Sequence, residues 1–407
     1  MSRPLPIELE AADDPPLGMS PARFLREYWQ KRPLLVRGAF PGFVAPITAD
    51  ELAGLACEPG ALGRLVHHDR RRDRYRVEHG PFAESRLAAL PRRDWTLLVQ
   101  DVDKWDADVR ALLGYFDFLP RWRIDDVMVS VAAPGGSVGA HLDQYDVFLL
   151  QGAGRRRWRI DDRAGAPTAS RDDGELCLLK RFTPNREWRL EPGDLLYLPP
   201  GVPHHGVAGT GNGAHDALCM TFSFGMRAPA QAELLLDLAQ SLAEALPETA
   251  RYADPDLDVP TDPAEIDAAA LSRLRRSVPL AADLDQATLR DWFGRFITRY
   301  RSAGEPPAPR RPPSLQVIES VLAAGGTLDT HPHARLAWSR AGRGARLYAC
   351  GEAFALPLTA ARRLADEGPL NRTAWRALGG AGRTVTIELV RSGIRRLRRP
   401  TPPRRGT

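Results

Sequence analysis

The chain has 407 residues, which is more than one average domain and predicts two or three. Hydrophobic residues make up 43% of it and charged residues 26%, a balance that excludes a mostly disordered protein. The formal net charge is +5, and arginine supplies all but three of the 56 basic residues. Coding bias and nucleic-acid contact both produce such an arginine surplus, so charge alone does not assign a nucleic-acid-binding function.

The sequence also argues against a membrane or a secreted location. No stretch approaches the roughly 20 apolar residues that a membrane span requires. Residues 1–16 contain acids and prolines without an apolar core, so they do not resemble a secretory signal. The four cysteines are far apart and form no CxxC pair, which favours a reducing compartment. We therefore expect a cytoplasmic protein.

The first 125 residues show mixed helical and irregular patterns. Residues 21–29 predict an amphipathic helix with Ser20 as its N-cap, and residues 33–36 predict a short strand. A further helix is predicted over residues 105–113.

A different pattern begins near Val127 and continues to Phe224. Short segments rich in β-branched and aromatic residues alternate there with Gly and Pro turns. The predicted strands are 127–132, 145–150, 155–160, 187–190, 194–198 and 217–224. Many short strands of this kind predict a sandwich, barrel or jelly roll.

Helical patterns return after Met226. Residues 231–246, 264–278 and 285–300 predict three helices, which form a small bundle or an oligomerisation segment. A proline-rich linker follows at 305–313. The remaining predicted elements are a helix at 314–324, a hairpin around Cys350, a helix at 357–366, and a last strand or helix at 384–390. Together they suggest a winged-helix-like module.

The most informative segment contains His141 and Asp143, which are two residues apart and therefore share one face of a strand. A third metal ligand is available in the later sequence PPGVPHH, which ends at His204 and His205. Two histidines and one carboxylate on a β scaffold are the facial triad of non-haem Fe(II) oxygenases. Because adjacent residues of a strand face opposite sides, only one of the two histidines can be the ligand, and position alone does not choose it.

The arginine-rich strand at 155–160 gives a second clue. Alternation places Arg156 on the same face as Trp158 and Ile160, among apolar groups, whereas the other arginines form a solvated face. A buried guanidinium requires a partner, and its planar fork matches a carboxylate. That partner is either an internal acid or, beside an iron site, the carboxylate of a 2-oxo acid.

Three strings together resemble a known family: HLDQYDVF from His141, QGAGRRRW from Gln151, and PGDLLYLPPGVPH ending at His204. They are similar to the bacterial JmjC-domain ribosomal oxygenases, cupin-fold arginine hydroxylases that act on a large-subunit ribosomal protein. The resemblance implies a mainly β core with a double-stranded β-helix (cupin/JmjC) domain at residues 1–228. A helical dimerisation segment at 229–304 and a winged-helix-like domain at 314–400 would follow it.

The resemblance also implies cofactors and site residues. The cofactors would be Fe(II), the co-substrate 2-oxoglutarate and O₂, and the product an arginine hydroxylated at Cβ in a 50S ribosomal protein. The implied residues are His141, Asp143 and His204 for iron, Arg156 and Ser130 for 2-oxoglutarate, and Gln144 and Tyr145 for the rim that receives the target. The family often has Glu after the second histidine, where this chain has His205.

Other functions remain open at this point. A JmjC demethylase, or a hydroxylase of another protein, would use the same triad. A non-catalytic cupin gives no reason for Arg156 to point inward. A DNA-binding regulator would use the arginine-rich end of the chain, although residues 394–400 are equally typical of a solvated, flexible tail. We interpret the pairs at 67–68 and 331–333 as ordinary surface histidines, and the helices at 231–300 as a homodimer contact.

Overall fold

The computed structural model describes residues 5–11, 16–172, 174–209, 218–251, 253, 255, 268–277, 284–299 and 304–400. The chain divides into two compact units, Met1–Ala228 and Pro229–Thr407. The first unit ends at the predicted end of the oxygenase domain. The second unit contains both the predicted dimerisation segment and the predicted winged-helix-like domain, whose division stays a prediction. In the described ranges, no helix is long and apolar enough to span a membrane.

Twelve strands build the described part of the first unit. They are β1 Glu8–Glu10, β2 Leu34–Arg37, β3 Gly63–Asp69, β4 Arg74–His79, β5 Trp95–Val99, β6 Ile124–Ala132, β7 Val147–Ala153, β8 Arg156–Ile160, β9 Arg186–Leu190, β10 Leu195–Leu198, β11 His204–Ala208 and β12 Cys219–Met226. The helices are α1 Pro21–Glu27, α2 Ala49–Cys57, α3 Glu84–Ala88, α4 Val102–Trp105 and α5 Ala107–Ala111, with 3₁₀ turns at Leu112–Phe116 and Arg121–Arg123.

The strands form two sheets. The large sheet has the order β1-β2-β10-β7-β12-β6-β5-β3-β4, and the small sheet has the order β11-β8-β9. Alternation along β7 shows that the large sheet is covered on both faces: Phe148 packs with the aromatic cluster around Phe24, whereas Leu149 packs with Trp158 of the small sheet. The mainly β fold that the sequence predicted is confirmed.

The first 125 residues are more regular than the sequence suggested. Strands β3, β4 and β5 extend the large sheet, so the assignment of this region to helical and irregular structure was wrong there. Charged residues in β4 hide its alternation. The predicted helix over 105–113 breaks at Asp106, whose side chain accepts hydrogen bonds from the backbone N–H groups of Asp108 and Val109 and caps a new helix. The helix after Ser20 is confirmed, with Ser20 as its N-cap.

The described elements of the second unit are seven helices and five strands. They are α6 Gln231–Ala245, α7 Ala268–Ser277, α8 Gln286–Thr298, α9 Leu315–Ala323, β13 Thr327–Thr330, β14 Leu336–Ala341, β15 Gly344–Ala349, β16 Glu352–Leu356, α10 Leu358–Ala365, α11 Arg372–Ala377, α12 Gly379–Arg391 and β17 Arg395–Arg398. The hairpin around Cys350 is present as β15 and β16, and the ambiguous segment at 384–390 belongs to helix α12. The outer residues of the predicted helix at 264–278 lie outside the described residues.

The arginine-rich end is not a flexible tail over its described part. Strand β17 pairs with β13, and Arg395 is only 1% exposed. Its guanidinium donates hydrogen bonds to four backbone carbonyls, at 2.8–3.3 Å. His331 is also buried, so its interpretation as a surface histidine was wrong. Residues 401–407 lie outside the described residues.

Candidate active site

The first unit brings together the three ligands that the sequence predicted. His141 and Asp143 follow β6, and His204 begins β11. One ligand atom from each of the three lies within 4.8 Å of the others. Asp143 Oδ2 is 3.6 Å from His204 Nε2, and the two imidazole ring centres are 4.3 Å apart. This spacing is compatible with a single metal ion between them.

Backbone contacts fix the orientation of both histidines. The backbone N–H of His141 donates to the carbonyl of His204, and the reverse hydrogen bond is also present, at 3.0 and 2.8 Å. Nδ1 of His141 lies 3.1 Å from the carbonyl of Gly139, and Nδ1 of His204 lies 2.9 Å from that of Val202. A hydrogen bond from Nδ1–H to a carbonyl leaves Nε2 deprotonated and free for a metal. Burial, followed by the charge of His141, lowers the pKa of His204 to about 4, which favours the same neutral form.

Strand pairing separates His204 from His205. His204 is opposite Ile160 in the β8–β11 pair and faces inward, whereas His205 is opposite Arg159. Arg159 donates a hydrogen bond of 2.9 Å to Nδ1 of His205, so Nε2–H donates to Ser137 Oγ at 3.0 Å. Both nitrogens of His205 are thus occupied. The sequence had suggested that Arg159 belongs to a solvated face, and its hydrogen bond to His205 shows that this interpretation was wrong for Arg159.

A glycine and a buried carboxylate position the segment that contains the triad. Gly139 has φ +85°, and a Cβ there would lie 2.6 Å from Leu178 and 3.1 Å from Tyr75. Asp146 is fully buried, and its carboxylate accepts hydrogen bonds from the Tyr197 hydroxyl at 2.6 Å and the Gln30 amide at 2.9 Å. These contacts hold both ends of the loop on which His141 and Asp143 lie.

A cavity of about 330 Å³ opens beside the triad and contains the predicted co-substrate residues. Arg156 lines it, is 4% exposed, and lies over the Trp158 ring at 5.8 Å. Among the described residues, its Nε and Nη2 have no hydrogen-bond partner. Because burying unpaired donors of a charged group is costly, the site fits a carboxylate ligand. The prediction that Arg156 points inward from the strand agrees with its position.

The other predicted contacts differ in their positions. Ser130 is buried in β6 and lines the cavity opposite Thr221 of β12. Tyr145 also lines the cavity and is 42% exposed, as expected for a residue at its rim. Gln144 is exposed and does not line the cavity, so the structure separates it from Tyr145.

The sequence did not predict several polar residues that line the cavity. They are Arg64, Thr96, Gln100, Asp126, Thr221 and Ser223. The first three lie in the region that was assigned to helical and irregular structure, and Asp126 lies just after it. Asp126 could have been found, because Asp126, Met128 and Ser130 alternate along β6 and share the cavity face.

Asp126 has unusual electrostatics for a carboxylate. Its Oδ2 accepts a hydrogen bond of 3.1 Å from the backbone N–H of Asp101. Burial, followed by the nearby charge of Asp101, raises the pKa of Asp126 to about 7. Burial and the charges of Asp143 and Asp126 also raise the pKa of Tyr145 above its ordinary value. The cavity wall therefore combines a titrating acid with an aromatic ring.

Comparison with known proteins places this site in a family. Residues 111–234 match the JmjC domain model, and residues 264–394 match the ROXA-like winged helix model. The chain is 38% identical over 305 residues to the ribosomal protein uL16 3-hydroxylase of Escherichia coli, covering 75% of this chain and 78% of that one. It is 35% identical over 253 residues to a probable ribosomal oxygenase of Haemophilus influenzae, covering 60% of this chain and 56% of the relative.

Solved structures agree over almost the whole length. An X-ray structure of Escherichia coli YcfD matches with a TM-score of 0.82 and 35% identity, covering 94% of this chain and 99% of the other. A structure of that ribosomal oxygenase in complex with cobalt and 2-oxoglutarate matches with a TM-score of 0.78, 35% identity and the same coverage. The chain therefore belongs to the JmjC-domain ribosomal oxygenases, a family of 2-oxoglutarate- and Fe(II)-dependent hydroxylases, as its sequence indicated.

Proposed function

We propose that this enzyme hydroxylates Cβ of an arginine side chain in a protein of the 50S ribosomal subunit. The buried guanidinium of Arg156, whose unpaired donors face the same cavity as the triad, supports the use of 2-oxoglutarate, and the observation that carries the arginine target is the pair Asp126 and Tyr145 in that cavity. The Escherichia coli relative is a hydroxylase of the ribosomal protein uL16, which supports a ribosomal target. A ribosomal target also supports a cytoplasmic location.

His141, Asp143 and His204 would hold Fe(II), and Arg156 would hold the far carboxylate of 2-oxoglutarate. Arg156 is opposite Ala208 in the strand pair, four residues beyond His204. At about 3.3 Å per residue this separates the two backbones by roughly 13 Å, and both side chains lie on the inward face. A metal at one end and a guanidinium at the other can therefore bind the two ends of a short dicarboxylic acid. Ser130 would add a hydrogen bond to it.

When bound, iron and 2-oxoglutarate supply the oxidant that hydroxylates an unactivated C–H bond with the use of O₂. The residues of the chain bind and orient the reactants. Trp158, Val147 and Leu149 give the cavity apolar walls that limit the access of water. His141, Asp143 and His204 would supply three ligands to the metal and would leave its other positions for the co-substrate and O₂.

Asp126 and Tyr145 would bind the target arginine. A carboxylate and an aromatic ring are the two groups that recognise a guanidinium, through a charged hydrogen bond and a cation–π contact. A Cβ on Gly225 would lie 3.2 Å from Asp126 and 3.9 Å from Tyr145, so the absent side chain leaves space between the acid and the ring. Gln144 does not line this space, and we therefore assign it no contact with the target.

The test is to incubate the protein with Fe(II), 2-oxoglutarate and ribosomal subunits, and then to measure the masses of the ribosomal proteins. We expect one protein to gain one oxygen, at an arginine that fragmentation identifies, and His141→Ala or Asp143→Ala to abolish the gain. Release of formaldehyde from a methyl-lysine peptide would instead favour a demethylase. Equal succinate production by wild type and both variants would contradict the proposal.

The exposed apolar residues of the second unit support a homodimer. Leu235 and Leu236 of α6 are 67% and 71% exposed, and Leu271 and Leu274 of α7 are about half exposed. Burying such adjacent leucines against a second copy would gain about 2 kcal/mol for each side chain. We expect Leu235→Glu/Leu236→Glu to be monomeric in light scattering, whereas Val44→Glu, at an exposed apolar residue of the first unit, stays dimeric.

A further inference from the structure

The hairpin of β3 and β4 carries a concentrated basic surface that the catalytic site does not use. We call residues 67–76 the arginine hairpin. Its exposed arginines are Arg70, Arg71, Arg72, Arg74 and Arg76. The register places His67 opposite Arg76 and Asp69 opposite Arg74, so these four side chains share one face of the sheet. Strand β4 is at the edge of the large sheet, so this face lies at a border of the unit.

Neighbouring elements add further arginines to this surface. Arg86 of α3 donates hydrogen bonds to both carboxylate oxygens of Glu78 and contacts His67 Nε2, all at 2.8–2.9 Å. Arg70 Nε is 2.8 Å from Asp94, which directly follows Arg92 and Arg93 in the chain. Arg171 contacts Asp73 at 2.6 Å. These contacts between neighbouring segments therefore hold the arginine side chains of the basic surface in place.

The positive charge of this surface is only partly neutralised. Within the arginine hairpin itself, five arginines (70, 71, 72, 74 and 76) stand against the two acids Asp69 and Asp73. Within the described ranges, Arg71 and Arg74 have no carboxylate partner, and the Arg72–Asp69 pair is 3.5 Å long and exposed.

The geometry of this surface suits phosphate groups. A cavity of about 540 Å³ is lined by Arg72, Arg74, Arg76 and Arg86. Guanidinium groups recognise phosphate oxygens through two parallel hydrogen bonds. The aromatic ring of the hairpin, Tyr75, stacks on His68 with ring centres 4.2 Å apart, which occupies one face of the ring. A surface that consists mainly of guanidiniums favours contact with a phosphate backbone.

The arginine hairpin is connected to the active-site cavity. Arg64 and Val66 of the same strand, β3, line that cavity. Because neighbouring residues of a strand alternate, they face the side of the sheet opposite to His67 and Asp69. From Val66 to Arg72 the chain covers at most about 20 Å at 3.3 Å per residue. A large particle that extends around the edge strand β4 can therefore contact the hairpin and place a protein loop in the cavity at the same time.

We propose that the arginine hairpin binds the phosphate backbone of RNA that accompanies the ribosomal-protein substrate. This inference rests on the proposed function for the identity of the RNA. The contact holds the ribonucleoprotein particle at the enzyme while the target side chain enters the cavity. It adds affinity for the particle without any contribution to the chemistry at the metal.

The test compares two charge variants of the full chain. Arg71→Gln/Arg72→Gln/Arg74→Gln removes three charges from the hairpin, and Arg340→Gln/Arg343→Gln/Arg376→Gln removes three exposed charges from the second unit. Binding of a labelled ribosomal RNA fragment is measured by fluorescence anisotropy at several salt concentrations. Each phosphate contact on a single strand contributes about 0.7 to the magnitude of the slope of log K against log salt. Loss of three contacts in the hairpin variant should therefore reduce the magnitude of that slope by about 2. The control variant should leave it unchanged.

Hydroxylation separates this inference from the proposed function. We expect the hairpin variant to modify the isolated ribosomal protein at the wild-type rate and the assembled particle more slowly, with the difference disappearing at high salt. Failure of the wild type to hydroxylate either substrate would contradict the proposed function and leave the RNA measurement intact. The inference would be overturned if the hairpin variant bound RNA as tightly as the control variant. It would also be overturned if polyglutamate displaced the labelled RNA from the wild type as effectively as unlabelled RNA of the same charge.

Discussion

Arg156 of the first unit and Arg395 of the second are both buried, but the protein surrounds their donors differently. Arg395 in the second unit is 1% exposed and donates to four backbone carbonyls. Arg156 in the first unit is 4% exposed, and its Nε and Nη2 have no partner among the described residues. The two side chains have the same chemistry and similar burial. They differ in that both Nη groups of Arg395 donate to carbonyls, leaving only its Nε without a partner among the described residues, whereas both Nε and Nη2 of Arg156 lack one.

This difference separates a structural role from a binding role. Burial lowers the pKa of Arg395 to about 10, still above neutral pH, so the side chain remains charged and links β17 to the loop after α10. Arg156 has no such internal network and faces the cavity that His141, Asp143 and His204 also line. A buried guanidinium with four internal acceptors has a structural role, whereas one whose donors lack internal acceptors indicates a ligand that supplies them.

The largest effect is expected when the unsatisfied arginine is removed. Arg156→Met should raise the KM for 2-oxoglutarate about 100-fold, because two charge-assisted hydrogen bonds of about 1.5 kcal/mol each are lost. The unfolding midpoint of the ligand-free protein should stay the same or rise, since no internal hydrogen bond is broken. Succinate production and thermal unfolding measure the two effects.

Arg157→Met is the matched control, because Arg157 is the next residue on β8 and faces the other side. It should leave the KM for 2-oxoglutarate within about twofold of wild type, as expected for a surface position. A large loss of stability in Arg156→Met, with an unchanged KM, would show that Arg156 belongs to the same structural class as Arg395.

Removal of the satisfied arginine should have the opposite result. Arg395→Met leaves four buried carbonyls without donors and should lower the free energy of unfolding of the second unit by about 3 kcal/mol. Binding of 2-oxoglutarate should not change. Hydrogen exchange of peptides from residues 314–400 measures the loss. Arg398→Met is the control, since Arg398 lies on the same strand, is exposed, and forms only a 3.4 Å pair with Asp329, worth less than about 1 kcal/mol.

The sequence predicted Arg156 but not Arg395, for a physical reason. Arg156 alternates with Trp158 and Ile160, so the pattern of one strand is enough to place it inside. Arg395 lies in a run of arginines, and its burial depends on carbonyls at Leu328, Leu364, Asp366 and Gly368. No local pattern contains those contacts, because they exist only after the helices of the unit have packed.

The same distinction explains the rest of the site. The spacing of His141 and Asp143 predicts two ligands on one face, but the choice between His204 and His205 requires the register of β11 against β8. The family resemblance selected His204, and the register gives the reason. Asp126 was missed because the predicted strand began at Val127, whereas β6 begins at Ile124, although Ser130 on the same face was found.

The comparison can be extended to a carboxylate. Asp126 is an acid whose pKa is raised to about 7 by burial and by Asp101, and we propose that it binds the guanidinium of the target. Below its pKa the acid is neutral and binds the cation weakly, and above it the acid is charged. The KM for the arginine substrate should therefore fall roughly tenfold between about pH 6 and about pH 8. Steady-state kinetics with the isolated ribosomal protein across this range measures the change.

Asp126→Asn should have a high KM that no longer depends on pH in this range. The KM for 2-oxoglutarate should stay near the wild-type value in the variant, because Asp126 is assigned to the target and not to the co-substrate. If the KM of Asp126→Asn for the arginine substrate kept its full pH dependence, another group would be responsible for the titration, and Asp126 would not bind the target.

The smallest effect is expected at His205, whose two nitrogens are satisfied by Arg159 and Ser137 in the manner of Arg395. Burial, followed by the charge of Arg159, lowers the pKa of His205 to about 3, so it stays neutral and adds no charge to the site at ordinary pH. His205→Gln should bind Fe(II) as tightly as wild type and keep activity within about threefold, with a loss of stability of about 1 kcal/mol for the changed hydrogen bonds. His204→Gln should lose iron binding, because it removes a nitrogen whose geometry the backbone has fixed. Iron titration of both variants distinguishes the two neighbours. An equal loss of iron binding in His204→Gln and His205→Gln would mean that the register of β11 does not separate a ligand from a structural residue.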